Sequence, residues 1–173
     1  MSFRIFIDGE AGTTGLKVAA RLQTHPHVEM LHIDDAQRKD PQARLQLMQD
    51  SDMTILCLPD EAARDAVALA EGDASIRFID ASTAHRVDSD WVYGFPELIS
   101  GQREAIAAAS RISNPGCYPT QVTKTNYVRL GPHHARTASF RNPTLRSKTT
   151  LFKTAVHNFS RMSVADSRAV VTR

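Results

Sequence analysis

The 173-residue chain is short of several things. It has two cysteines, Cys57 and Cys117, so a disulfide framework is excluded and a reducing, cytosolic setting is the default. No apolar run approaches the ~18 residues of a membrane span. The polar start, Met1 to Glu10, lacks the apolar core of a secretory signal, so a cytoplasmic protein without membrane contact is expected. His25, His27, His32 and His85 stand in no metal-ligand spacing with either cysteine, and no metal site is expected. Low-complexity tracts and internal repeats are missing. What is there, 42% hydrophobic and 23% charged residues, is ordinary globular composition. The length suits one domain, or one domain with an appendage, and can bury a core without metals or disulfides.

Acid is scarce in one region only. Residues 1–120 carry 11 Lys+Arg against 18 Asp+Glu, a net −7, whereas residues 121–173 carry 10 against Asp166 alone, a net +9. Such a split marks two different kinds of polypeptide.

In the acidic part, short apolar runs alternate with helix-forming stretches. Phe3–Asp8, Val28–Ile33, Met53–Leu58, Ile76–Asp80 and Arg111–Ser113 read as strands. Helices are expected over Leu16–Leu22, from Pro41 through Met48, after an Asp60 N-cap, and after a Ser100 cap. Apolar rather than alternating strands belong to a parallel sheet covered on both faces. The expected fold is α/β, a Rossmann-type doubly wound sheet over residues 1–120.

Between the first strand and the first helix lies Gly9-Glu10-Ala11-Gly12-Thr13-Thr14-Gly15. Glycines here let the backbone turn tightly and approach a pyrophosphate, whose charge meets the free N–H groups of the helix start. The spacing differs from the commoner G-x-G-x-x-G. Position after the first strand favours a dinucleotide site over an ordinary glycine-rich turn. Asp34 and Asp35 fall where a ribose-binding acid is found in NAD sites, yet Arg38 and Lys39 follow and suit a 2′-phosphate, and a solvated charged loop is equally open, so position does not decide NAD against NADP. Cys57, inside an apolar run, reads as a small buried hydrophobe. Cys117 follows the turn Asn114-Pro115-Gly116, and local sequence leaves it open as a nucleophile or a structural thiol. Ser82 and Thr83 suit hydrogen bonding to a ligand, and Arg86 suits phosphate or carboxylate capture or is a surface arginine. The glycine turn, Asp34, Leu58-Pro59, Ala81-Ser82 and Cys117 each follow the carboxyl end of an expected strand, the edge where open α/β sheets bind ligands.

IFIDGEAGTTGL (5–16), TILCLPDEAAR (54–64), IDASTAHR (79–86), WVYGFPEL (91–98) and SNPGCYPT (113–120) together resemble N-acetyl-gamma-glutamyl-phosphate reductase, in its shorter, type 2 branch. Broader kinship is with aspartate-semialdehyde dehydrogenase and the glyceraldehyde-phosphate dehydrogenases. The resemblance implies NADP-dependent reduction of N-acetyl-L-glutamyl 5-phosphate to the 5-semialdehyde, in arginine biosynthesis, through a thioester on Cys117. It implies Gly9, Gly12, Thr13, Thr14, Gly15 and Ser82 as the cofactor-binding set, Arg86 near the substrate phosphate, and Asn114 in support of the cysteine turn. The partner it implies is a small-molecule acyl phosphate.

Likeness stops at Thr120, where the family continues into a second domain bearing the general-base histidine and much of the subunit interface. Residues 121–173 instead hold 13 Ser+Thr, ten basic residues and one acid, and read as a disordered or poorly packed basic tail. Three origins compete: an out-of-frame product after a frameshift, which is preferred; a nucleic-acid-binding tail, though no such motif is present; and a divergent small domain. No nucleic-acid partner is expected, and without the second domain the family's homo-oligomer is not carried over. Impaired catalysis, a non-catalytic NADP-binding remnant and a related semialdehyde dehydrogenase are the functional alternatives.

Overall fold

A computed structural model of the chain describes residues 2–116. Cys117 and the basic segment 121–173 lie outside the described residues.

Chain order is β1 (Phe3–Asp8), α1 (Thr13–Leu22), β2 (Val28–Leu31), α2 (Pro41–Asp50), β3 (Met53–Leu56), α3 (Asp60–Leu69), β4 (Phe78–Asp80), β5 (Val92–Tyr93), α4 (Gln102–Ala108) and β6 (Arg111–Ser113). The strands form one six-stranded sheet in the order β2-β1-β3-β4-β6-β5, parallel at every pairing. This is the expected doubly wound α/β arrangement, and alternation along the strands explains it. Ile5, Ile7, Met53, Ile55, Ile79 and Ile112 pack with Val18, Ala19 and Leu22 of α1 and Ile106 of α4. Phe6, Leu56 and Phe78 point the other way, onto Met48 of α2, Ala63 and Ala66 of α3, and Trp91. Small alanines on α3 let that helix approach the sheet closely, while β-branched residues fill the opposite face.

Helix starts follow local chemistry. Asp40 caps α2, its carboxylate accepting the Gln42 N–H at 2.9 Å, and Pro41 stands in the first turn. Two expected caps differ. Pro59, not Asp60, is the N-cap of α3, and Asp60 uses its carboxylate on the Thr83 N–H (2.9 Å) and Thr83 hydroxyl. Helix α4 starts from Gly101, whose φ of 82° is left-handed, rather than from Ser100. Strand β5 was not expected: two residues between turn-forming sequences carry no period, and its pairing with β6 alone defines it. Among the described residues, no helix is long and apolar enough to cross a membrane.

Candidate functional site

The sheet reverses its winding between β1 and β3, so their carboxyl ends bound a crevice. The glycine turn occupies it. Gly9 has φ 88°, and a Cβ there would meet the Cys57 carbonyl oxygen at 2.5 Å and the Leu58 side chain at 3.0 Å. Gly15, in the first turn of α1, has no room either: a Cβ would overlap the Gly9 carbonyl oxygen and lie 2.7 Å from Glu10 Cα. Gly12 is the N-cap of α1 and has no side-chain cap, so its turn offers backbone N–H groups rather than a capping oxygen. The turn closes on itself through Gly12 N–H donating to Gly9 C=O at 3.1 Å. Two glycines packed against backbone and an uncapped helix start fit a pyrophosphate.

Behind the turn, Asp8 is buried at the end of β1 and accepts from Arg44 of α2 at Nε (3.1 Å) and Nη2 (2.6 Å). Sequence reasoning missed this pair. A buried acid ending an apolar strand signals the need for a cation, but nothing local indicates one 36 positions away. At the lip, His32 Nδ1 meets Glu10 Oε2 at 2.9 Å, and His32, Asp34, Gln37 and Gln46 border an open cleft of about 550 Å³. Arg38 is 3.6 Å from Asp35, an exposed pair.

The second half of the edge is built from β4 and β6. Ser82 donates its N–H and hydroxyl to Asp80, at 2.8 and 2.7 Å, and its Oγ accepts the Ala84 N–H at 3.1 Å. Arg86 donates from Nε to the Asn114 carbonyl oxygen at 3.1 Å, so residues 28 positions apart meet beside the turn that leads to Cys117. Asn114 N–H donates to the Asp80 carbonyl oxygen at 2.7 Å. Cys57 is a different thiol. Burial, together with the Asp80 and Asp8 carboxylates, pushes it up to about 12. It is mostly thiol at neutral pH and a poor nucleophile.

Glycine turn, Cys57-Leu58, Ala81-Ser82, Arg86 and Asn114 therefore share one edge. Residues 34–109 match the family described as semialdehyde dehydrogenase, NAD binding domain. The wider likeness is to N-acetyl-gamma-glutamyl-phosphate reductase, over a segment. The reductases of Brucella ovis and of Brucella melitensis biotype 2 are each 52% identical over 120 residues, 69% of this chain and 39% of the relative. The chain thus spans about two fifths of the length of the reductases it matches. Among solved structures, aspartate semialdehyde dehydrogenase from Francisella tularensis superposes with a TM-score of 0.51 at 17% identity, covering 66% of this chain and 36% of that one. It shares the fold. Residues 34–109 are thus similar to an NAD-binding domain of semialdehyde dehydrogenase type, and a 120-residue segment of the chain is similar to the reductases.

Proposed function

We propose that the chain carries the NADP-binding and nucleophile-bearing part, residues 1–120, of an N-acetyl-gamma-glutamyl-phosphate reductase, followed by a non-family basic tail. The reading is carried by 52% identity over 120 residues to proteins of that name. The clustering of the anion-suited groups on one carboxyl edge supports it.

In this reading Gly9, Gly12 and Gly15 admit the cofactor pyrophosphate against bare backbone, and Thr13, Thr14 and Ser82 line it. Arg86 and Asn114 flank the substrate. Arg86 is held at Nε by the Asn114 carbonyl oxygen and at Nη2 by the Ala81 carbonyl oxygen at 3.5 Å, and its remaining N–H groups suit an anionic group. The Cys117 thiolate attacks the acyl carbon of N-acetyl-L-glutamyl 5-phosphate. A carbon–sulfur bond forms, the carbon–oxygen bond to phosphate breaks, and phosphate leaves with that electron pair, so Cys117 holds a thioester. When bound, the reduced nicotinamide supplies the hydride that turns the thioester carbon into the semialdehyde. Cys117 departs as thiolate, ready for another cycle. NADP preference follows from Arg38 and Lys39, which suit a 2′-phosphate.

Full turnover also needs a general base, typically worth about 10²–10⁴-fold, and no histidine of residues 121–173 stands in a context like the family's. A reduced rate is expected. The composition change after Thr120 favours a second reading, a nucleotide-binding remnant without turnover. The purified chain, titrated with NADPH and NADH and assayed with N-acetylglutamate semialdehyde, phosphate and NADP⁺, separates them. Tighter NADPH binding with slow, Cys117→Ala-sensitive NADPH formation supports the reductase. Binding without any turnover supports the remnant, and binding of neither nucleotide rejects both.

A further inference from the structure

The loop from β4 to Arg86 is folded around one carboxylate. Asp80 is fully buried and takes hydrogen bonds from the Ser82 N–H, the Ser82 hydroxyl and His85 Nδ1, the last at 2.8 Å. His85 is buried too and lies flat on Trp91, with ring centroids 4.1 Å apart and planes 13° from parallel. Trp91 in turn packs on Phe78 of β4 at 6.4 Å. The imidazole is therefore fixed from two sides, by a stacked ring and by a carboxylate.

The same loop grips the neighbouring strand end. Asn114 N–H donates to the Asp80 carbonyl oxygen at 2.7 Å, and the Asn114 carbonyl oxygen accepts Arg86 Nε at 3.1 Å. Both backbone groups of Asn114 are thus held by residues of one loop, three positions before Cys117. Arg86 follows His85 directly, so the bond that holds His85 also sets where the Arg86 side chain begins. A buried carboxylate is an expensive way to fold a loop, since a well-packed apolar group serves stability as well or better. What it adds is direction: fixed donors and acceptors that allow one arrangement of residues 80–86.

We propose that Asp80, acting through His85 and Arg86, is a positioning residue that sets the turn Asn114-Pro115-Gly116 and, through it, the reactivity of the Cys117 thiol. This rests on the reading of Cys117 as the nucleophile. Asp80 itself touches neither substrate nor cofactor in this role.

The test uses the full chain and mass-mapped iodoacetamide labelling across a pH series, with the unsubstituted chain as reference and NADPH titration in parallel. His85→Phe keeps a ring against Trp91 and removes the donor to Asp80, Asp80→Asn removes the charge, and Arg86→Lys removes the planar donor to Asn114. In each variant Cys117 labelling at neutral pH should slow on the order of tenfold or more. The slowing should persist across the pH series, and in His85→Phe and Arg86→Lys, which leave both Ser82 bonds to Asp80 in place, NADPH binding should be unchanged. Unchanged labelling in folded variants overturns the proposal. So does loss of labelling and NADPH binding together, which marks Asp80 as support for the fold at large. If His85→Phe and Asp80→Asn do not fold, Arg86→Lys decides alone, and wild-type labelling in it overturns the proposal. Wild-type Cys117 labelling no faster than Cys57 would instead reject Cys117 as nucleophile, a separate failure.

Discussion

Asp8 and Asp80 close β1 and β4 at the same edge, in one register row through Leu56, and both are buried on the face that carries α2 and α3. They meet the same difficulty, a carboxylate out of water, in opposite ways. Asp8 is neutralised across the fold by Arg44 from α2, whereas Asp80 is satisfied within five residues by Ser82 and His85. One acid ties a helix to the sheet below the glycine turn. The other organises a loop. Distance along the chain therefore separates a carboxylate that holds the scaffold from one that shapes a loop.

The comparison is broken most sharply at Arg44. Arg44→Ala leaves Asp8 buried without its cation and should cost about 3 kcal/mol, read as a lower urea midpoint with an unchanged slope. A loss below about 1 kcal/mol would mean that water reaches Asp8 and that the two acids are not alike. Gly15→Ala comes next. Its Cβ would overlap the Gly9 carbonyl oxygen, and the turn must shift at a cost of about 2 kcal/mol. NADPH binding should fall to undetectable at micromolar protein, and wild-type binding would remove the turn from the cofactor site.

Asp60 sharpens the contrast on the exposed side. Hydrogen bonds from the Thr83 hydroxyl and N–H hold its carboxyl below the ordinary 3.8. Its folded value lies below its unfolded one, so the contribution is complete above about pH 3.8 and disappears as pH falls through the lowered value. Thr83→Val should flatten that acid limb in pH-dependent urea unfolding, lowering stability slightly at pH 7 and leaving it unaltered below the lowered value. An identical acid limb in the variant would mean that the Thr83 hydroxyl contributes nothing in solution. The smallest effect is expected at Ser113, the register partner of Asp80, which is buried with its Oγ unpartnered among the described residues. Ser113→Ala removes an unsatisfied group and should change stability by less than about 0.5 kcal/mol or raise it slightly. A loss above 1 kcal/mol would reveal a hydrogen bond to that hydroxyl.

Much of this edge was legible in the chain. The first strand, the glycine turn and the helix after it occupy 20 consecutive positions, and local sterics decide them. The expected strand at residues 28–33 ends at Leu31, and that at 53–58 ends at Leu56, because pairing with the neighbouring strand stops there. His85 stood only among histidines without metal spacing. Its bond to Asp80 spans five residues and follows no helical or strand period, so no pattern announced it.

Sequence alone determined the class of fold, the tight glycine turn and the separation of an acidic part from a basic one, because periodicity, glycine spacing and charge are properties of neighbouring residues. Tertiary structure decided the rest. It brought Arg44 to Asp8, laid His85 on Trp91 and joined Arg86 to Asn114. Such pairings depend on how helices and loops cross the sheet, and the free energy that selects them, desolvated charge matched to a distant or irregularly spaced partner, is not written in any local pattern.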